Sequence, residues 1–423
     1  MKPQSRRSFI NSIASVSALT MLTPYEALIA SERNKVKITD IKTMVFKTSR
    51  PRSRTYIIVK VETDSGLFGI AEAYGSPGVG VVEAIHSVKQ LYIGKDPLQI
   101  NRLYTGVSFG EQRFSDDSAH SQFRAVSGID NALWDLAGKI LDVPTYSLLG
   151  GKFRDKVRLY DHHTPRESQL TDKIACRDWA QAAKERANGI TAHKVGINRL
   201  GYDSDFGYDT SSRSLSSKEL RLLIEGFENM REAIGWDHDI LIGAHWEFNM
   251  HTATQVAKGL EPIKPLFFED PLPVSYNKGW NRLTNETTVP INTGENWWVQ
   301  ADAAPFIETS AIDIIHPDLR NSGFTESKKM AESADLHFLQ TANHNTGSVL
   351  NGMATVNWAS TVRDYLACET VYFEGDEHDD VILHDGPLCK NGYVEVPNKP
   401  GIGVELNPDY IKAHLEHGEK WVG

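Results

Sequence analysis

Beyond Gly150-Gly151 the chain repeats one unit, a short apolar run with the length of a β-strand followed by an amphipathic stretch with helical spacing. The strand-like runs fall at 190–196, 239–246, 265–269, 289–295, 312–317, 337–342 and 365–370. Strands that recur with a helix between them are joined by crossovers and so pair in parallel. A long series of such units closes into a barrel with its helices outside. The rhythm therefore predicts an α/β protein built on a (β/α)7β TIM-type barrel, and in such barrels the C-terminal strand ends carry the chemistry.

The segment ahead of the barrel reads differently. Residues 37–62 alternate in strand fashion and include Tyr56-Ile57-Ile58-Val59-Lys60-Val61, after which Thr63-Asp64-Ser65-Gly66 turns the chain into Leu67-Phe68-Gly69-Ile70. Helical spacing follows over 81–92 and 125–141. Strands and then helices make a compact N-terminal α+β capping domain, assigned to 36–153, with the barrel at 154–390. The last segment, 391–423, contains Gly392-Tyr393-Val394-Glu395-Val396-Pro397, which reads as a strand returning to the capping domain. A chain of 423 residues holds both domains with no low-complexity tract.

Residues 1–30 stand apart. Arg6-Arg7-Ser8-Phe9-Ile10 opens a weakly apolar run that ends near Leu22, ahead of Pro24 and a small-residue stretch. This is the plan of a signal peptide, and the paired arginines resemble a twin-arginine export signal, which serves folded proteins. The expected location is the periplasm, or another compartment reached by that route. The run is shorter than the roughly 20 residues a membrane span needs and carries Asn11, Ser12, Ser15 and Ser17, so no membrane association is expected once the signal is removed. A net charge of −10 argues against a nucleic-acid partner, which a clustered basic surface would mark, and leaves a small-molecule substrate. Cys176, Cys368 and Cys389 are too scattered for a CxxC metal site or a disulfide framework.

The barrel runs end on polar residues where packing alone favours apolar ones: Lys194, His245, Glu269, Glu295, Asp318, His344 and Glu369. Glu269 follows Pro265-Leu266-Phe267-Phe268, and an acid at the end of a buried strand stays ionised only when paired, hydrogen-bonded or coordinated. Glu295 ends the next run. Successive strand ends lie side by side, so the two carboxylates converge, and a hard divalent cation resolves their repulsion. Asp318 and His344 end the following two runs. A carboxylate on one ring nitrogen fixes the tautomer and raises basicity at the other, which favours a general base.

Taken in order, these motifs resemble the enolase superfamily in its mandelate racemase and acid-sugar dehydratase branch, over nearly all of the chain after residue 30. In the first domain the resemblance is carried by Val61-Glu62-Thr63-Asp64-Ser65-Gly66 with Gly69-Ile70-Ala71-Glu72, and by Gly94-Lys95-Asp96-Pro97. Ser127-Gly128-Ile129-Asp130-Asn131-Ala132-Leu133-Trp134-Asp135 through Leu148-Leu149-Gly150-Gly151 completes it. In the barrel, Phe268-Glu269-Asp270-Pro271 and Gly294-Glu295 resemble the second and third metal-ligand segments. Asp318 and His344 match the family's base pair, and Glu369 matches a late-strand Glu that hydrogen-bonds the enolate oxygen. Lys194 matches the second lysine of a Lys-x-Lys motif whose first position is Ala192. His245 matches a histidine that acts as general acid on the departing hydroxyl in galactonate- and mannonate-type dehydratases.

This sequence departs from the family at the first metal ligand, where Gly243 stands in place of Asp. Residues two apart on a strand share a face, so Gly243, His245 and Glu247 are expected to point inward together. Either Glu247, which suits Mg²⁺, or His245, which suits a transition metal, then completes the metal shell. The resemblance implies a divalent metal, Mg²⁺ or else Mn²⁺ or another transition metal, bound to the carboxylate of a sugar acid. His344, oriented by Asp318, would take the α-proton and His245 would protonate the leaving hydroxyl, giving a 2-keto-3-deoxy acid. Lys194 would serve as a second base or bind the carboxylate. Two other readings use the same residues: an epimerase or cycloisomerase with Lys194 and His344 on opposite faces, and a non-catalytic sugar-acid binder whose metal site has decayed at Gly243. Substrate selection is expected from 51–56, 75–80 and 109–123, with Arg52, Arg54, Arg113, Trp246, Trp297, Trp298 and Asn321 as contacts. The resemblance also implies a homo-oligomer.

Overall fold

The computed structural model describes residues 35–48, 55–75, 80–108, 119–162, 171–186, 188–197, 214–370 and 379–422. The export signal expected at 1–30, and Arg52, Arg54 and Arg113, lie outside the described residues.

Strands β1 (Ile38–Lys47), β2 (Thr55–Thr63) and β3 (Phe68–Ala73) form an antiparallel sheet in that order. The central strand reads as a continuous apolar run because both of its faces are covered. Ile57, Val59 and Val61 share a buried cluster with Ile129, Leu133 and Leu136 of the long helix α3 (Ala119–Ile140). Tyr56 and Ile58, on the other face, join Val349, Leu350 and Met353 of a barrel helix. Helices α1 (Val81–Val88) and α2 (Ile100–Ser108) complete this domain, and a short α4 (Thr145–Leu148) leads out of it.

The barrel is closed and all-parallel. Its strands are β4 (Lys156–His162), β5 (Ala192–Gly196), β6 (Asp239–Gly243), β7 (Phe268–Glu269), β8 (Ile291–Thr293), β9 (Ile314–Ile315), β10 (Gln340–Asn343) and β11 (Tyr365–Thr370), with β11 paired back to β4. The crossovers are α5 (Lys173–Lys184), α6 (Ser217–Ile234), α7 (Met250–Leu260), α8 (Lys278–Glu286), α9 (Gln300–Glu308), α10 (Leu319–Leu336) and α11 (Val349–Ser360). This is the (β/α)7β order that the sequence rhythm predicts. Tyr160 and Phe267 pack among Ala192, Ala342 and Ala367 to fill the interior, which is a core and not a channel. The first barrel strand escapes the rhythm because Lys156, Arg158 and Asp161 interrupt its apolar run.

The terminal strand is a correction. Residues 392–397 do not return to the capping domain: after β12 (Cys389–Lys390), β13 (Tyr393–Glu395) pairs antiparallel with β4, Val394 opposite Val157. The reason is local. β4 pairs with β5 only from Asp161 and with β11 only from Leu159, so its first residues would otherwise leave backbone groups open. The return comes after α12 (Pro408–His414), where Glu416 N donates to Val45 O at 2.9 Å and Lys60 Nζ donates to Val422 O at 2.8 Å.

The two domains meet where α3 lies on the start of α10. Ser127 Oγ donates to Asn321 O at 2.6 Å and Asn131 Nδ2 to Leu319 O at 2.9 Å. Gly323, with φ 65, breaks α10, and the Asp130 carboxylate accepts Thr325 N at 2.9 Å beyond the break. The capping domain thereby clamps the chain immediately after Asp318. No helix among the described residues is long and apolar enough to cross a membrane.

Candidate active site

Asp318 is the N-cap of α10, and its Oδ1 accepts Arg320 N at 2.8 Å. The Arg320 guanidinium grips the same carboxylate twice, Nε to Oδ1 at 3.1 Å and Nη2 to Oδ2 at 2.6 Å. His344 Nδ1 lies 2.8 Å from Oδ2. Burial by itself would raise the Asp318 carboxyl, but Arg320 and His344 overcome it and hold the group well below the usual carboxylate range. Nδ1 then carries the ring proton, and Nε2 is directed at the mouth, 3.4 Å from Glu295 Oε2 and 3.8 Å from Glu369 Oε2. Burial works against charge on this ring, yet Glu295, Glu369 and Asp318 push it up to about 10, so the ring becomes a neutral base only where a cation held by the neighbouring acids offsets their charge.

Three acids gather beside it. Glu269 ends β7, Asp270 follows, and Glu295 lies beyond β8, with one oxygen of each within 4.8 Å of the others. Neighbours on a strand face opposite ways. Asp270 escapes that rule because its φ is 50°, a left-handed conformation that turns its carboxylate back to the mouth. Glu269 Oε2, Asp270 Oδ2 and Glu295 Oε2 are buried with no hydrogen bond. Burial, reinforced by the neighbouring carboxylates, pushes Glu269 up to about 7 and Asp270 well above the usual range. A donor set of buried oxygens, each left open, fits a hard divalent cation, whose charge would keep ionised what burial and repulsion otherwise protonate.

His245 and Glu247 do not join this cluster, contrary to the sequence expectation. β6 ends at Gly243, and His245 (φ 48) and Trp246 (φ 61) are left-handed, so the shared-face rule of a strand no longer applies to them. His245 stays near the mouth with Nδ1 buried and without a hydrogen bond. Burial, and then the charge of Lys194, hold its ring down to about 3.

Lys194 is 2% exposed, its Nζ 2.7 Å from Glu269 Oε1 and 3.0 Å from Glu369 Oε1. Burial opposes its charge, but Glu269, Glu369 and Glu295 keep the ammonium well above its ordinary range. Lys194 thus sits as the charge partner of Glu269 and Glu369. Glu369 also accepts Asn345 N at 2.8 Å and contacts His162 Nε2 at the end of β4.

Of the expected substrate contacts, Asn321 proves to be a tether, its Nδ2 donating to Glu295 O at 2.6 Å and its Oδ1 accepting Arg124 Nε at 3.2 Å. Trp297 packs in the core against Phe306, ring centroids 5.2 Å apart. Trp298 stacks on Phe123 of the capping domain at 6.1 Å and 12°, and Trp246 lies edge-on to His245. Sequence reading missed three residues of the mouth. Asp270 hides behind the alternation rule, and His162 sits on the unrecognised strand. Arg320 shows only a spacing of two from Asp318, which many helix starts share.

An imidazole aimed by one carboxylate at a cluster of others, at the C-terminal mouth of a barrel, is what an enzyme needs to take a proton from carbon next to a carboxylate. Residues 32–150 match the mandelate racemase / muconate lactonizing enzyme N-terminal domain, and 178–410 match the enolase C-terminal domain-like family. The chain belongs to the mandelate racemase / muconate lactonizing enzyme family of the enolase superfamily, whose members bind a divalent metal. It is 34% identical to a D-xylonate dehydratase of Haloferax volcanii, with 90% of each chain covered. It is 30% identical to a D-galactonate dehydratase of Xanthomonas oryzae, over 86% of this chain and 92% of that one. A mandelate racemase/muconate lactonizing enzyme-like protein from Rubrobacter xylanophilus superposes with a TM-score of 0.82 at 27% identity, covering 92% of this chain and 99% of its own.

Proposed function

We propose that this chain dehydrates a sugar acid, removing the proton α to the carboxylate and expelling the β-hydroxyl to leave a 2-keto-3-deoxy acid. His344 Nε2 takes the proton while Asp318 holds the opposite nitrogen at 2.8 Å, a contribution of about 10²–10⁴-fold. The observation that favours dehydration over isomerisation is the pairing of Lys194 with Glu269 and Glu369, which engages its ammonium with two carboxylates. Relatives named D-xylonate, D-gluconate and D-galactonate dehydratase support the same reading. A divalent cation, Mg²⁺ by the chemistry of an all-oxygen donor set, would be held by Glu269, Asp270 and Glu295 and would supply positive charge at the substrate carboxylate.

His245 is neutral in the free site. Its service as the acid for the leaving hydroxyl requires that it take up a proton as substrate enters, against the burial and the Lys194 charge that keep it neutral. Trp298, which stacks on Phe123, and Arg54 are the proposed sugar contacts. In this reading the Arg6-Arg7 signal exports the enzyme already folded, and it works as a homo-oligomer.

The test is a panel of D-xylonate, D-gluconate, D-galactonate and D-mannonate with Mg²⁺ or Mn²⁺ in D₂O, followed by NMR. We expect a keto-deoxy product from at least one substrate, and His344→Asn should lower turnover by about 10³-fold or more. Products of unchanged mass would establish an isomerase instead. Full turnover in His344→Asn, with deuterium still entering at the α-carbon, would refute the base assignment.

A further inference from the structure

We propose that Asp270 supplies the third carboxylate of the cation site in place of the one missing at Gly243, and that Lys194 fills the space this leaves. The inference rests on the metal-assisted reading above, but its test reads binding alone.

A Cβ built on Gly243 would lie 3.1 Å from Lys194 Cε. Gly243 and Lys194 are therefore a matched pair: the bare backbone at 243 lets the lysine cross and place its ammonium between Glu269 and Glu369. A side chain at 243 would make the lysine stem give by a few tenths of an ångström.

Asp270 is built to take over. It is 1% exposed and left-handed, a conformation that a non-glycine residue holds only where its surroundings impose it. Here they do: Asp270 N donates to Asn292 O at 3.0 Å, and Asp270 O accepts Trp246 N at 2.6 Å. Thr293 Oγ1 donates to Asp270 Oδ1 and sets the carboxylate plane, while Oδ2 is buried with no hydrogen bond. A strained backbone that delivers an unsatisfied buried oxygen to two others points to a ligand. Charge agrees, because the Lys194 ammonium and the His344 ring face four carboxylates, Glu269, Asp270, Glu295 and Glu369, and the excess negative charge is what a divalent cation matches.

The experiment is Mn²⁺ titration of the metal-stripped full-length protein, followed by electron paramagnetic resonance and by thermal unfolding. We expect one Mn²⁺ per chain in the wild type, binding about tenfold or more weaker in Asp270→Asn, and binding no tighter than wild type in Gly243→Asp. In metal-free buffer Asp270→Asn should unfold at a higher temperature than wild type, because it relieves like-charge repulsion, and its gain from Mn²⁺ should shrink. A residue with a purely structural role would not give that inversion. Asp270→Ser is read in the same way should the amide variant fail to fold. Wild-type affinity in the Asp270 variants, or a tenfold gain in Gly243→Asp, would overturn the assignment. Mn²⁺ binding as expected with no turnover on any sugar acid would leave the ligands standing and refute the function instead.

Discussion

Two groups of buried acids share the barrel mouth and are treated in opposite ways. Glu72, from the capping sheet, and Asp318 are saturated. Arg320 lies 3.4 Å from Glu72 Oε1 and grips Asp318 with two nitrogens, and Glu72 Oε2 accepts Ser348 N at 2.7 Å. That closeness requires Gly347, where a Cβ would lie 2.8 Å from Glu72 Oε1. Glu269, Asp270 and Glu295 each keep an oxygen with no hydrogen bond. The first group is finished architecture that aims His344. The second is only partly satisfied, with Lys194 on Glu269 and His344 near Glu295, and the oxygens left open are the ones a cation would complete.

The comparison breaks most severely at the open group. Glu269→Gln or Glu295→Gln should lower turnover by about 10³-fold or more, because a ligand and its charge are lost together. Chelator should do the same to the wild type, and added Mn²⁺ should restore the wild type far more than either variant in a steady-state assay. Asp318→Asn should cost about 10²–10⁴-fold in kcat by releasing the tautomer of His344, while Mn²⁺ affinity stays within a few-fold.

Arg320→Met attacks the saturated group. It leaves Glu72 and Asp318 charged and unpaired, so unfolding free energy should fall by about 3–5 kcal/mol in denaturant titrations. Arg320→Lys should recover part of that without the bidentate grip. Saturating metal should act oppositely on the open group, raising stability by about 2.7 kcal/mol at a concentration one hundred times Kd.

The smallest effect is a dependence on pH. Glu269 is raised from 4.5 to about 7 in the metal-free fold, so between those values the folded chain binds more protons than the unfolded one. The stability of the metal-free protein should therefore fall as pH rises from about 4.5 through about 7. Urea midpoints at pH 5 and pH 8 should show that slope in the wild type, and Glu269→Gln should flatten it.

Much of this was legible in advance, for reasons that can be named. The barrel order follows from a period that changes at Gly150-Gly151, and Glu269, Glu295, Asp318, His344 and Glu369 stood out as polar residues at the ends of apolar runs. Those signals are local. Lys194 was recognised as a mouth residue, but its state was not, because that depends on two carboxylates 75 and 175 residues away. The first barrel strand, and His162 with it, stayed hidden behind charged positions that β13 and neighbouring groups cover.

What the sequence determined by itself is the succession of strands and helices and the set of strand ends able to carry chemistry, because hydrophobic period and strand-end polarity are written within a few residues. Which oxygens stay open was decided only in three dimensions. That choice rests on left-handed turns at His245, Trp246 and Asp270, on a lysine stem crossing above Gly243, and on a capping-domain Glu72 that reaches Arg320. None of these follows from local pattern, because each is held in place by parts of the chain distant in sequence.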